Sequence, residues 1–216
     1  NEAGKNVTSA SWCIAIGSGA LKGGATTGNF NIAIGRTTMT SMTSGSSNNA
    51  LGVDSMSQNS TGSNNVALGA SALRLGTAGS QNTVIGNQAG RNATSNNNTF
   101  IGFETGYYVT SGANNTILGR YNGNQGGLDI RTSDNNIVLS DGDGNPRVVV
   151  NNVGHLTHGQ VYPNATNVGF SVRYQGTVVN TVDSQAALEL RRIGTTPAGS
   201  IAIFRYASTI VGTISV

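Results

Sequence analysis

Along the first two thirds of the chain the apolar residues follow neither a helical period nor a long alternation. They come in runs of two or three, typically opened by Asn and closed by Gly. Eight such cassettes occur: CIAIG at 13–17, NIAIG at 31–35, NNALG at 48–52, NVALG at 65–69, NTVIG at 82–86, NTFIG at 98–102, NTILG at 115–119 and NIVLS at 136–140. The glycines at 17, 35, 52, 69, 86, 102 and 119 are separated by 18, 17, 17, 17, 16 and 17 residues, too regular for a merely Gly-rich chain. A run this short, partly β-branched and bounded by Asn and Gly, predicts a strand of roughly four or five residues; a helix needs about ten. Each coil is then a strand, a Gly turn, a second short segment and a polar return loop. Gly fits the turn because it takes positive φ without a Cβ clash, and Asn at the strand entrance can bond backbone of its own or the next coil.

Three further columns follow from the repeat. The residue before the glycine is always Ile or Leu (Ile16, Ile34, Leu51, Leu68, Ile85, Ile101, Leu118, Leu139), which predicts a buried column. Four residues after the glycine, Leu21, Met39, Met56 and Leu73 give way to Gly90, Gly106 and Gly123, while two residues before it Ala15, Ala33, Ala50 and Ala67 give way to Val84, Phe100 and Ile117. Small pairs with large, then large with Gly. Close-packed interiors tolerate swaps that conserve volume, so these two columns are expected to touch. One coil buries too few apolar side chains to offset the roughly 1–2 kcal/mol per residue of backbone ordering, so coils must stack, and the slender stack invites burial against another chain.

Composition makes a conventional monomeric core hard to build. Of 216 residues, 37% are hydrophobic, 6% aromatic and 10% charged, so neutral polar side chains carry solubility. Net charge +3 with recurrent Ile and Val argues against disorder throughout, and the basic residues are scattered singly except Arg191 and Arg192, which excludes a basic patch for nucleic acid. No apolar run approaches the ~18 residues of a membrane span. The lone Cys13 sits in an apolar run and reads as a small hydrophobe.

The cassette, as in NVALGASAL at 65–73, resembles the repeats of bacteriophage tail fibres and of the heads of trimeric autotransporter adhesins. That resemblance covers about residues 13–123 and implies three parallel chains in a β-roll or prism, hence a homotrimer. After Gly123 the pattern breaks. Residues 136–150 read as strand, Asp-Gly turn and strand, and residues 168–216 as a small antiparallel sheet. The last hairpin, 199–216, resembles the segment preceding the self-cleaving intramolecular chaperone of endosialidase-type phage fibres, and residues 136–153, with the DGDGNPR stretch at 141–147, are similar to their connector. The expected protein is all-β: an elongated parallel homotrimer with a repeat shaft or head (1–125), a hairpin connector (126–160) and a C-terminal β domain (161–216) whose chaperone is cut away after Val216. The resemblance further implies a virion tail fibre, extracellular, with other tail proteins as partners, that attaches to host surface polysaccharide or lipopolysaccharide. A polysaccharide-degrading fibre and the head of a bacterial trimeric adhesin are the alternatives.

Chemistry is sparse. There is no GxSxG elbow and no GxxxxGK[ST] loop, no motif pairs Glu104, Asp129, Asp134, Asp183 or Glu189 as a glycosidase requires, and no cofactor is expected. Asp141, Asp143 and Asn145 match the first ligands of a calcium loop, but Pro146 stands where Gly is needed and Asn152 where Glu is needed, so a tight turn is the reading. His155 and His158 read as loop residues, and no metal is assigned to them. Aromatic rings stack on sugar faces, which makes Tyr107, Tyr108, Tyr121, Tyr162 and Tyr174 the candidate receptor contacts, against the alternative that most pack between chains.

Overall fold

The computed structural model describes residues 2–158 and, beyond them, the backbone of four strands, 169–172, 178–181, 200–206 and 209–215. Every regular element among the described residues is a strand. Seven strands of three residues each come from the repeats: β1 (Ile14–Ile16), β2 (Ile32–Ile34), β3 (Asn49–Leu51), β4 (Val66–Leu68), β5 (Thr83–Ile85), β6 (Thr99–Ile101) and β7 (Thr116–Leu118). A small hairpin, β8 (Asn124–Gln125) and β9 (Leu128–Asp129), precedes β10 (Ile137–Ser140), β11 (Pro146–Val150), β12 (Leu156–His158), β13 (Gly169–Val172) and β14 (Val178–Thr181); β15 (Ser200–Tyr206) and β16 (Thr209–Ser215) form a separate antiparallel pair. The first seven strands stack in parallel in sequence order, each cassette over the same cassette of the next coil: Ala50 beside Ala67, Leu51 beside Leu68. This is a β-solenoid, with one sheet on one side of each coil and turns elsewhere.

The expected pairing of the two core columns holds. Phe100 is buried, and a Cβ placed on Gly106 would lie 2.8 Å from its ring; a Cβ on Gly90 would lie 3.0 Å from Phe100 and 3.2 Å from Val84. In the early coils Met39, Met56 and Leu73 fill the same interior beside Ala33, Ala50 and Ala67. Gly123 departs from the pattern, since its nearest side-chain neighbour is Val109 rather than Ile117.

Asn at the strand entrance forms a buried ladder. Both the backbone N–H and Nδ2 of Asn65 donate to Oδ1 of Asn48 at 3.0 Å, Asn82 repeats this on Asn65, and Asn136 on Asn115. The second Nδ2 hydrogen then reaches a carbonyl one coil on, as from Asn65 to Gly79 at 2.8 Å. A neutral amide carries two donor hydrogens beside its acceptor oxygen, so Asn65 can bond the coils on both sides at once, where a hydroxyl has a single hydrogen to give. The turn glycines are fixed by close approach as well as by φ: Gly52 has φ 136°, and a Cβ there would stand 2.5 Å from the carbonyl oxygen of Gly69.

Three expectations change. The strands have three residues, not four or five, because Gly ends each at once. The column of Ile and Leu before the glycine is not buried in the chain. In a three-residue strand the middle side chain points inward and the outer two point out, so Ala67, Val84 and Phe100 are buried, while Leu51, for one, is 50% exposed. The break in spacing after Gly123 does not end the parallel stack: β10 pairs in parallel with β7, Val138 beside Ile117, and only then does the sheet turn antiparallel through β11, β12, β13 and β14. The 141–145 turn between β10 and β11 is closed by Asp141, whose Oδ1 accepts from the backbone N–H of Asp143 (3.0 Å) and Asn145 (2.9 Å) while Oδ2 takes Arg147 Nε (2.8 Å). The Asn145 N–H first, and Arg147 with it, hold the Asp141 carboxyl down at about 2.

Candidate functional site

Two surface features stand out on the solenoid. The first is the outward column itself. All eight residues before the turn, from Ile16 to Leu139, are Ile or Leu, and none is buried. Neighbouring parallel strands lie about 4.8 Å apart, so eight coils draw an apolar stripe roughly 34 Å long. The column two residues earlier, also outward, is mixed: Ile14, Ile32, Val66 and Ile137 are apolar, whereas Asn49, Thr83, Thr99 and Thr116 are polar. No charged side chain belongs to either column.

The second feature lies five and six residues past the turn glycine, where most coils carry Lys, Thr, Ser, Arg, Gly, Gln or Asn but the sixth carries Tyr107 and Tyr108. Their rings meet edge to face at 4.8 Å. Arg91 from the preceding coil stands 5.5 Å over the Tyr107 ring and donates from Nη1 to its hydroxyl at 3.2 Å, which fixes Tyr107 as a half-buried support. Tyr108 is 49% exposed and divides two clefts. One, of about 180 Å³, is lined by Gln88, Glu104, Tyr107, Tyr108 and Asn122. The other, of about 290 Å³, is lined by Asn92, Tyr108, Thr110, Asp129, Arg131 and Thr132.

An irregularity in the repeat builds the second cleft. From β7 to β10 the ladder step grows to 21 residues, as in the bond from Asn136 to Asn115. The extra residues form the β8–β9 hairpin and the strap behind it, which carry Asp129, Arg131 and Thr132 to the ring of Tyr108. Tyr121 anchors that insertion. It is fully buried, its hydroxyl donates to Leu128 O at 2.8 Å, and Leu128 and Ile130 are buried in the same core cluster. Burial pushes its phenol well above the usual range.

The two carboxylates that line the clefts are already paired with arginine. Arg131 forks onto Asp129 through Nε (3.0 Å) and Nη2 (2.7 Å) and thereby lowers the Asp129 carboxyl below its usual range. Arg120 bridges to Glu104 at 3.2 Å and covers the exposed ring of Phe103 at 5.0 Å. A carboxyl held ionised by Arg131 is the wrong group for protonating a glycosidic oxygen, which needs a raised pKa.

Of the five tyrosines singled out in the sequence, Tyr107 and Tyr108 come together at the clefts, Tyr121 is core and unavailable to a ligand in this chain, and Tyr162 and Tyr174 lie outside the described residues, as does Val216. Sequence reasoning missed Gln88, Asn92, Asn122 and Arg131, and held Glu104 and Asp129 only as carboxylates that no motif pairs. The readable signal was the stretched repeat after Gly119, since insertions in repeat proteins gather on one face and often build its binding surface. His155 is half-buried in the turn before β12 and His158 is exposed at that strand's end, apart from both features. Comparison of the chain with protein-family models, with curated proteins and with solved structures found no match.

Proposed function

We propose that the chain is a structural, receptor-binding fibre of the bacteriophage tail-fibre kind, working as a parallel homotrimer that attaches to glycan on a host surface. The observation that carries this reading is the uncharged apolar stripe on a parallel sheet. Parallel sheets occur almost always with both faces covered. Here the coil covers the inner face, and the outer face offers Ile or Leu at every step. A partner able to cover the whole stripe needs apolar groups at the same spacing along its length, and a second copy lying parallel and in register supplies them. Finishing the burial of a half-exposed Ile or Leu is worth about 1 kcal/mol, so eight per chain give several kcal/mol toward assembly. The mixed outer column supports register: an aligned pair matches Ile14, Ile32 and Ile137 with themselves, whereas a slip of one coil sets some of them against Asn or Thr.

The test is direct. Sedimentation of the purified chain should give a particle of three subunits that binds intact host cells, with binding lost after polysaccharide is stripped from those cells. A stable monomer of 22.0 kDa would refute the fibre reading.

A further inference from the structure

We infer that the two clefts flanking Tyr108 are adjacent subsites for a neutral oligosaccharide, the Tyr108 ring standing between two consecutive sugar units. The inference rests on the attachment reading for its biological sense, but the site is argued from its own chemistry. The smaller cleft lies below, and the larger at, the lower end of the roughly 300–1,000 Å³ of a drug-sized pocket, which suits a ligand of one sugar ring in each. Their linings are amides and hydroxyls (Gln88 and Asn122 on one side, Asn92, Thr110 and Thr132 on the other) around one half-exposed aromatic. Planar amides that both donate and accept, beside an aromatic surface, match a sugar's hydroxyls and its C–H face.

Other ligand classes fit less well. An anionic ligand meets a carboxylate in each cleft, Glu104 in one and Asp129 in the other. A cationic ligand meets Arg131 in the larger cleft, with Arg120 bound to Glu104 at the smaller one. Each lining carboxylate already holds an arginine, Arg91 is turned onto the Tyr107 ring and hydroxyl rather than lining either cleft, and the Asp129–Arg131 fork offers an acceptor and a donor side by side to a vicinal diol. The site is also preformed. Arg91 fixes Tyr107 against Tyr108, and buried Tyr121 anchors the insertion that carries Asp129 and Arg131. A ligand therefore has little to order on binding.

The experiment is titration calorimetry of the full chain with maltotriose, cellotriose, mannotriose and chitotriose as neutral probes and oligogalacturonate as the acidic one, run beside Tyr108→Ala, Tyr108→Phe and Arg131→Ala. At least one neutral trisaccharide should bind saturably and more tightly than its disaccharide. Tyr108→Ala should weaken it about tenfold or more, Tyr108→Phe should retain most affinity, and Arg131→Ala should lose part. Circular dichroism melts establish that the variants fold, which is expected for exposed side chains. Absence of binding by all four neutral probes, preference for oligogalacturonate, or full affinity in Tyr108→Ala overturns the assignment. Release of reducing ends during titration overturns it as a binding site and makes it catalytic. The two readings fail separately: host-cell binding that survives Tyr108→Ala refutes these subsites alone, while Tyr108-dependent sugar binding by a monomer refutes the trimeric fibre alone.

Discussion

At the scale of the residue, the repeat tolerates little at two positions and much elsewhere. Gly52 combines φ 136° with a carbonyl where its Cβ would stand, so Gly52→Ala is expected to cost about 4 kcal/mol or more, read as a lowered thermal midpoint. An outcome under about 1 kcal/mol would mean that the coils are spaced more widely than described. Asn65 is constrained differently. Asn65→Ala takes the acceptor from the backbone N–H and Nδ2 of Asn82 and the donor from Gly79 O, and leaving buried groups unpaired costs about 1–3 kcal/mol each. Replacement by Leu, which fits the size but not the bonds, should be no milder, and chemical unfolding distinguishes the two causes.

At the scale of the element, the paired core columns allow a reciprocal exchange. The early coils place Leu or Met at φ near 50° four residues after the glycine, so the backbone at Gly106 (φ 62°) accepts such a residue; what forbids it is the ring of Phe100. Gly106→Leu alone and Phe100→Ala alone are each expected to destabilise, by about 1–3 kcal/mol from overpacking and about 3–5 kcal/mol from the cavity. The double variant recreates the arrangement of the early coils and should cost clearly less than the sum; additive costs in that cycle would refute the contact. The β10–β11 hairpin makes a pH prediction. Because the folded Asp141 carboxyl sits at about 2, below its usual range, its contribution to the turn is present above about pH 4 and is lost as pH falls through 2. Protection of the Asp143 and Asn145 amides, taken relative to the intrinsic exchange rate at each pH, should fall across that window, and in Asp141→Asn the dependence should flatten.

At the scale of the whole molecule, the proposed fibre uses the stripe for assembly and the clefts for recognition. The stripe residues are exposed in the single chain, so Leu51→Lys combined with Leu118→Lys should leave the coil folded yet prevent association, yielding a soluble monomer by sedimentation with unchanged far-ultraviolet dichroism. If the double variant unfolds instead, the stripe is required for the coil itself. Assembly also multiplies sites. In the proposed trimer three copies of the proposed sugar subsite would gain avidity without new contacts, so binding to a dense glycan surface should exceed binding to a free trisaccharide by orders of magnitude in a trimer and hardly at all in a monomer.

The 17-residue spacing, the Asn ladder, the turn glycines and the exchange of volume between Ala67–Leu73 and Phe100–Gly106 were all legible in the chain, because each is a contact between equivalent positions of neighbouring coils and so leaves a period. The antiparallel hairpins after residue 136 were legible as well, from alternation and an Asp-Gly turn. Which side of a three-residue strand faces inward was not. Ala67 and Leu68 are both apolar, and only the closure of the coil sends the smaller inward and leaves the larger on the surface. Nor was the Tyr108 site, whose walls come from three coils and one insertion; Gln88, Asn92, Glu104 and Arg131 carry no shared period, and it is the stacking of coils that brings them to one ring.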